Sequence, residues 1–236
     1  MIPKTIHYCW FGRNPLPQSA LKCIESWKRV MPDYEVKEWN EDNFDINMFP
    51  YAADAYAAGK YAFVSDVARF WILQKEGGVY FDTDVEAVRP LDDLIDGLGG
   101  GGMMGWETPG GDGSFNVNPG LMVAMPAGLP ACQEILDGFA KLSYYRPDGT
   151  WNGYTMIPMV GDLLQRHGLK MDGTRQTVSG VTIFPADYFC PMDALTGRIV
   201  ITGNTRSIHR FTMSWMSPWT RLRLRFTRYI RRLLRH

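Results

Sequence analysis

The chain has 236 residues, of which 45% are hydrophobic and 21% charged. That is enough for one domain with a substantial core, and it excludes a disordered or fibrous protein. The formal net charge of zero hides an asymmetry: residues 221–236 hold seven Arg and no acidic residue, so residues 1–220 carry 18 basic against 25 acidic side chains. The four cysteines, Cys9, Cys23, Cys132 and Cys190, have neither zinc-ligand spacing nor the density of a disulfide framework. A reduced, cytosolic setting is the simplest expectation. No signal-peptide pattern follows Met1, and no run of about 18 apolar residues is present to span a membrane.

Taken in order, Ile2–Tyr8 reads as a first strand and Phe11–Pro17 as a Gly/Asn/Pro loop. Gln18–Val30 has helical spacing, with Leu21, Ile24 and Trp27 on one stripe. Pro32-Asp33 ends it, and Tyr34–Trp39 reads as the second strand, a β-α-β opening that suits a parallel sheet. After a loop and short turn over Glu41–Pro50, Tyr51–Ala58 and Tyr61–Lys75 are helical. Gly77-Gly78 ends the second of these, and Val79-Tyr80-Phe81 has the composition of a buried strand. Val85–Val88 continues as another. Gly97–Gly102, with five glycines, lacks the Lys and Ser/Thr of a phosphate-binding loop and reads as a flexible connection. Met103–Trp106 and Leu121–Met125 read as strands, with Asn116-x-Asn118-Pro119-Gly120 between them. Leu129–Leu142 and Thr155–His167 are helical, and Ser143–Tyr154 is a polar and aromatic loop. Val181–Phe184 and Ser207–Arg210 are late strands. No linker divides residues 1–217.

The chemistry gathers after the Gly pair. Asp82 and Asp84 arrive together at a strand's carboxyl end, where ligands bind in α/β sheets. The period of two puts both carboxylates on one side if the strand persists. Such neighbours repel unless a cation lies between them, and Mg2+ or Mn2+ suits two carboxylates plus phosphate oxygens. Asp is equally a turn residue, so a plain turn stays open. In the preceding apolar helix, Asp66 and Arg69 share a face three residues apart. They are either a structural ion pair or partners of a ligand.

Two sets of residues, Ala62-Phe63-Val64-Ser65-Asp66-x-x-Arg69 and Gly77-Gly78-Val79-Tyr80-x-Asp82-x-Asp84, resemble the Asp-x-Asp region of glycosyltransferase family 32. That region also occurs in the catalytic core of the clostridial glucosylating toxins. Ile2-Pro3-Lys4-x-Ile6-His7-x-x-Trp10-Phe11-Gly12, Glu25-Ser26-Trp27, Trp39-Asn40, Ser207-Ile208-His209 and Ser214-Trp215 extend the resemblance over about residues 1–217. It implies an α/β fold of the GT-A type, a mixed Rossmann-like sheet flanked by helices. It further implies a nucleotide-sugar donor, a divalent metal and transfer with retention of anomeric configuration.

By this resemblance Asp84 contacts the metal, Asp82 reaches it through water or holds sugar and ribose hydroxyls, and His209 is a further ligand. Trp10 stacks on the nucleobase, which favours a UDP-sugar. Its alternative is core packing. Asp66 holds sugar hydroxyls, Arg69 a hydroxyl or phosphate oxygen, Ser65 the ribose, and Tyr80 a phosphate or ribose unless it is a plain strand aromatic. Trp215, after Ser214, closes over the departing diphosphate. Where many relatives have a Thr-Gly-Pro-like segment, this chain has Trp151-Asn152-Gly153-Tyr154, a loop expected to face donor sugar or acceptor. Asn118 and Asn152 are further candidates facing donor or acceptor, and the sugar's identity stays open. His7 is expected to pack in the first strand.

In residues 218–236, Leu222, Phe226, Tyr229, Ile230 and Leu233 form a helical stripe amid Arg. A basic amphipathic helix of this kind suits an anionic membrane surface. It is compatible too with packing on the acidic domain or with nonspecific nucleic-acid affinity, though no specific nucleic-acid partner is expected. The combined expectation is a hexosyltransferase on the inner face of a bacterial cell membrane, acting on a glycan or lipid-linked glycan in surface polysaccharide synthesis. Two other readings compete. A strand followed by Asp-x-Asp-x-Val also fits a haloacid-dehalogenase-like phosphatase, with Asp82 as nucleophile. That class needs a later Lys and a second acidic pair, which Gly161-Asp162 does not supply. A non-catalytic sugar- or membrane-binding module is the other.

Overall fold

In the computed structural model, residues 1–109, 112–193 and 195–212 are described, together with Trp219, Arg223 and Thr227. The strands are β1 (Thr5–Cys9), β2 (Glu35–Trp39), β3 (Gly78–Tyr80), β4 (Val85–Ala87), β5 (Gly102–Gly105), β6 (Val123–Met125), β7 (Gln176–Val178), β8 (Val181–Phe184) and β9 (Ser207–His209). The helices are α1 (Gln18–Val30), α2 (Pro50–Ala57), α3 (Tyr61–Glu76), α4 (Asp92–Asp96), α5 (Pro130–Lys141), α6 (Met156–Arg166) and α7 (Ala186–Phe189). Among the described residues seven strands form one mixed sheet in the order β2-β1-β3-β6-β5-β8-β7, and β4 pairs with β9 in a separate two-stranded sheet. Among the described residues no helix is long and apolar enough to cross a membrane.

The period of two along the central strands divides the core. Ile6, Val79, Phe81, Met103, Ala124 and Phe184 face one way, onto Ile24 and Trp27 of α1. Tyr80, Met104, Val123 and Ile183 face the other, onto α3, α5 and α6 through residues such as Val67, Phe139 and Val160. The result is a sheet covered by helices on both faces, which is why its strands read as continuous apolar runs.

Two local features aim the site. At the α3–β3 junction Gly77 and Gly78 have φ of +67° and +109°. A Cβ at Gly78 would lie 2.8 Å from both His7 Nε2 and Thr5 O. The pair therefore reverses the chain tightly enough to lay β3 parallel to β1, Ile6 opposite Val79. His7 accepts from Trp39 Nε1 at 3.1 Å through Nδ1, so its Nε2–H donates to Gly77 O at 2.9 Å. That is a satisfied core histidine, as expected. The second feature is α1. Its buried stripe is Ala20, Cys23, Ile24 and Trp27, while Leu21 is 38% exposed, one position off the stripe expected. Trp27 Nε1 donates to Val85 O at 2.7 Å, and Ser26 Oγ accepts from Ala87 N at 2.9 Å. The Ser26-Trp27 pair thus fixes β4 from behind.

Some expected elements shift. Gly97–Gly102 is not wholly a free connection, because Gly102 opens β5 as a buried strand residue. Trp106 leaves β5 and makes an isolated bridge with Val117. Short α4 and α7, and the half-exposed edge strand β7, carried no periodicity long enough to read. Trp27→Phe keeps an aromatic core but leaves Val85 O unpaired, so it should lower unfolding free energy by about 1–3 kcal/mol, measured by urea titration.

Candidate functional site

Beyond β3 the chain makes a tight turn, with Val85 N donating to Asp82 O at 3.0 Å, and then enters β4. The turn and the carboxylate pair are therefore both present. β4 runs antiparallel to β9 with Val85 opposite His209, and this register brings the late strand to the turn. His209 Nε2 lies 3.2 Å from Asp84 Oδ1. Ligand atoms of Asp82, Asp84 and His209 all lie within 4.8 Å of one another. Two carboxylates and an imidazole so placed fit a divalent cation such as Mn2+ or Mg2+. Thr212 donates to Asp84 Oδ2 through its N–H at 2.8 Å and its hydroxyl at 3.0 Å, leaving Oδ1 on the His209 side.

Asp82 is held from the other side by Arg69. The Arg69 side chain is 2% exposed; its Nη2 is 2.7 Å from Asp66 Oδ1 and 3.1 Å from Asp82 Oδ1. Nε donates to Ser65 O at 3.2 Å, and the guanidinium sits 4.6 Å over the Tyr80 ring. Nη1 is buried with no partner among the described residues. The ion pair and a ligand role are thus compatible: one edge of the guanidinium is satisfied internally and one donor is spare.

The charges respond to this packing. Burial pushes the Asp66 and Asp82 carboxyls up, against the pull of Arg69. Burial acts on Asp84 in the same sense, but His209 and the Thr212 donors outweigh it and hold that carboxyl well below the usual range. His209 is the converse: burial works down, and Asp84 raises it.

Trp10, Ser65, Asp66, Arg69, Tyr80, Asp82, Asp84, Asn118 and His209 all line one cleft of about 740 Å³ at the carboxyl ends of β1 and β3. Trp10 is partly exposed and its Nε1 donates to Asn14 O at 2.6 Å. Ser65 Oγ donates to Tyr61 O at 3.2 Å. Tyr80 is 1% exposed, with its hydroxyl against the Cys9 thiol and the Asp82 carboxylate. It supports Arg69 and Asp82 internally. Asn152 is a correction: it does not line the cleft, because its Nδ2 is turned back to Ser143 O at 2.9 Å. Its neighbour Trp151 lines the cleft instead. Ser214 and Trp215 lie outside the described residues, as do residues 221–236 apart from helical Arg223 and Thr227.

Sequence reasoning missed Glu107 and Thr212, and it named Trp151 only as part of a loop facing donor or acceptor. Glu107 is raised by burial and accepts from Asn118 Nδ2 at 2.6 Å. Asn118 Oδ1 in turn accepts from Gly120 N at 2.7 Å, so the amide's orientation is fixed from both ends. The signal for Glu107 was the Trp106–Val117 pairing, which sets Glu107 beside Asn116 and cannot be seen without the register. Among the described residues no lysine lines the cleft, and Arg69 occupies the place beside Asp82, which does not favour the phosphatase reading.

Residues 17–98 match the family model described as a glycosyltransferase sugar-binding region containing a DXD motif. That stretch is similar to the DXD sugar-binding region of the glycosyltransferases. Asp82 and Asp84 are its Asp-x-Asp, and the resemblance to family 32 is borne out. Inositol phosphoceramide mannosyltransferase 3 of Schizosaccharomyces pombe is 35% identical over 98 residues, covering 40% of this chain and 27% of that protein. A mannosyl phosphorylinositol ceramide synthase of Saccharomyces cerevisiae is 30% identical over 99 residues, covering 40% and 26%. The match thus spans about a quarter of the length of these curated relatives. A solved glycosyltransferase involved in glycosylation of the major capsid of PBCV-1 overlays with a TM-score of 0.52 at 14% identity, covering 93% of this chain and 98% of that one. At that identity the likeness speaks for the fold, and the expected GT-A type is borne out.

One close approach makes the DXD region testable. A Cβ at Gly120 would lie 2.5 Å from Asp82 Oδ2 and 3.0 Å from Asn118 Oδ1. Gly120→Ala should displace the Asp82 carboxylate and weaken Mn2+ binding about tenfold or more. The far-ultraviolet circular dichroism should be retained. Titration of Mn2+ followed by electron paramagnetic resonance measures this without reference to turnover.

Proposed function

We propose that the chain is a retaining, metal-dependent hexosyltransferase that moves a sugar from a nucleotide sugar to a glycan or lipid-linked glycan. The observation that carries this reading is the Asp82–Asp84–His209 cluster in a cleft shared with Asp66, Arg69 and Trp10. Asp84 and His209 would hold Mn2+ or Mg2+ directly, with Asp82 beside them. A divalent cation there supplies countercharge to the diphosphate as it leaves.

The protein's own side chains divide the remaining work. Trp10 offers an indole face to the nucleobase, an interaction worth about 1–3 kcal/mol by analogy with base stacking elsewhere. Ser65 would bond the ribose. Asp66 accepts from sugar hydroxyls, the spare Nη1 of Arg69 donates to a sugar or phosphate oxygen, and Asn118 offers its remaining N–H. By the family resemblance alone, Ser214 and Trp215 would help exclude water from the diphosphate. In the transfer, the bond from the anomeric carbon to the diphosphate oxygen breaks. The acceptor oxygen bonds to the same face, and the acceptor's proton passes to the departing diphosphate oxygen.

The experiment is a screen of UDP-hexoses and GDP-mannose with Mn2+, scoring release of nucleoside diphosphate. Trp10 supports a UDP-sugar by resemblance, while the Schizosaccharomyces pombe relative is named as a mannosyltransferase, which puts GDP-mannose in the panel. Slow donor hydrolysis by the wild type is expected, lost with chelator and in Asp84→Ala. Turnover by that variant in chelator would sink the metal reading. Product from any accepted sugar should keep the donor's anomeric configuration by NMR, and inversion would reject a retaining enzyme.

The same reading places the chain on the inner face of a bacterial membrane, in surface polysaccharide synthesis. The support is the seven Arg of residues 221–236 with their apolar stripe. Each Arg contributes up to about 1 kcal/mol near an anionic surface, reduced by salt. Deleting residues 221–236 should release the protein from anionic liposomes in a sedimentation assay and barely change donor hydrolysis. Undiminished sedimentation of the truncated chain would show that the tail is not the anchor.

A further inference from the structure

Trp151 is 45% exposed, yet it is not a loose surface residue. It pairs with Tyr145 in an isolated bridge and lies on a hairpin tied at every turn. Arg146 N donates to Thr150 O at 2.8 Å, and Gly149 N donates to Arg146 O at 2.9 Å. Asp148 Oδ1 accepts from both Thr150 N and Thr150 Oγ1 at 2.9 and 2.6 Å. Arg146 Nη2 donates to Asn152 O at 2.9 Å, and Asn152 closes the base of the hairpin on Ser143 O and Tyr144 O. Tyr144 is buried and stacks edge-on against Tyr51 and Phe63. The hairpin therefore grows from the core and holds its tryptophan in place.

What it holds is an indole against the cleft. The Trp151 ring lies 5.6 Å from that of Phe63, which also lines the cleft and sits one turn before Asp66 on α3. The apolar face so formed continues through Met156 and Ile157, in the same cleft as Asp82 and Asp84. A half-exposed aromatic costs solvation free energy unless something covers it. Asp66, Arg69 and Asn118 already supply polar partners for a donor sugar, whereas this wall offers a flat apolar surface. The C–H face of a pyranose is a flat apolar surface of matching size, with its hydroxyls around the rim.

We infer that Trp151 is the platform of an acceptor subsite, on which the terminal pyranose of the acceptor glycan stacks with its C–H face on the indole. The inference rests on the glycosyltransferase reading above and goes beyond it by giving the acceptor a residue of its own. Rigid presentation matters, because a platform that is already ordered loses little entropy on binding.

The test uses the full chain with UDP or GDP and Mg2+ present, and methyl α- and β-hexopyranosides, lactose and maltose as probes. Saturation-transfer NMR should show at least one of them bound by the wild type, with the strongest transfer to ring C–H protons. Trp151→Ala should weaken that probe's binding roughly tenfold, and Trp151→Phe should restore most of it. Three results overturn the inference: no probe bound by the wild type, undiminished binding in Trp151→Ala, or a raised donor KM in place of weakened glycoside binding. Absence of donor hydrolysis in the wild type is a different failure, that of the glycosyltransferase reading itself.

Discussion

The buried guanidinium of Arg69 is the constraint on which the site depends. A cation at 2% exposure is expensive to desolvate, and it is tolerated here because Asp66, Asp82, Ser65 O and the Tyr80 face surround it. Those partners come from two elements. Asp66 and Ser65 are on α3 with Arg69, while Tyr80 and Asp82 are at the end of β3. The guanidinium therefore locks helix to strand and sets the direction in which the Asp82 carboxylate points. Removing it would leave two partly buried carboxylates without the cation between them, a destabilising change. Its structural role and its proposed ligand-binding role share one side chain, so loss of turnover on deleting Arg69 would not separate them.

The other half of the cluster is assembled by a different device. Asp84 and His209 come from distant parts of the chain and meet only because β4 and β9 pair in a small sheet apart from the main one. Two strands alone are marginal. This pair is stabilised from behind by α1, where Trp27 and Ser26 bond the β4 backbone at Val85 and Ala87. The Glu25-Ser26-Trp27 segment thus acts on the site without touching it. A purely chemical reading of the cleft would leave it out.

How legible the protein was follows from the range of the interactions. The α1, α3 and β3 signals are local: apolar spacing, a Gly pair, a β-branched and aromatic run. They read correctly to within a residue or two. Asp66 and Arg69 were legible as a pair because three residues along a helix is one face. Their link to Asp82 required the angle between α3 and β3, which the Gly77-Gly78 reversal sets. Glu107 was illegible because its importance lies in cross-strand register beside Asn116 and Asn118. Asn152 was misplaced by one residue in effect: in a hairpin, neighbouring side chains face opposite ways, so Trp151 enters the cleft and Asn152 turns back to Ser143. His209 was found by resemblance. Its distance from Asp84 in sequence gave no physical reason to join them.

The chain's exit from the site is built on the same carboxylate as the cluster. Phe211 has φ of +46°, a conformation a bulky side chain rarely adopts and one that costs on the order of 1–3 kcal/mol. Its ring packs edge-on against His209 with centroids 4.2 Å apart. On either side of it, Arg210 N donates to Asp84 O at 2.9 Å and Thr212 N to Asp84 Oδ2 at 2.8 Å. The strained turn is thus offset by hydrogen bonds that all end on one residue. Asp84 consequently has two duties, one oxygen toward His209 and the other toward Thr212. Any change in how Asp84 is held therefore acts on the Arg210–Thr212 turn as well as on the cluster.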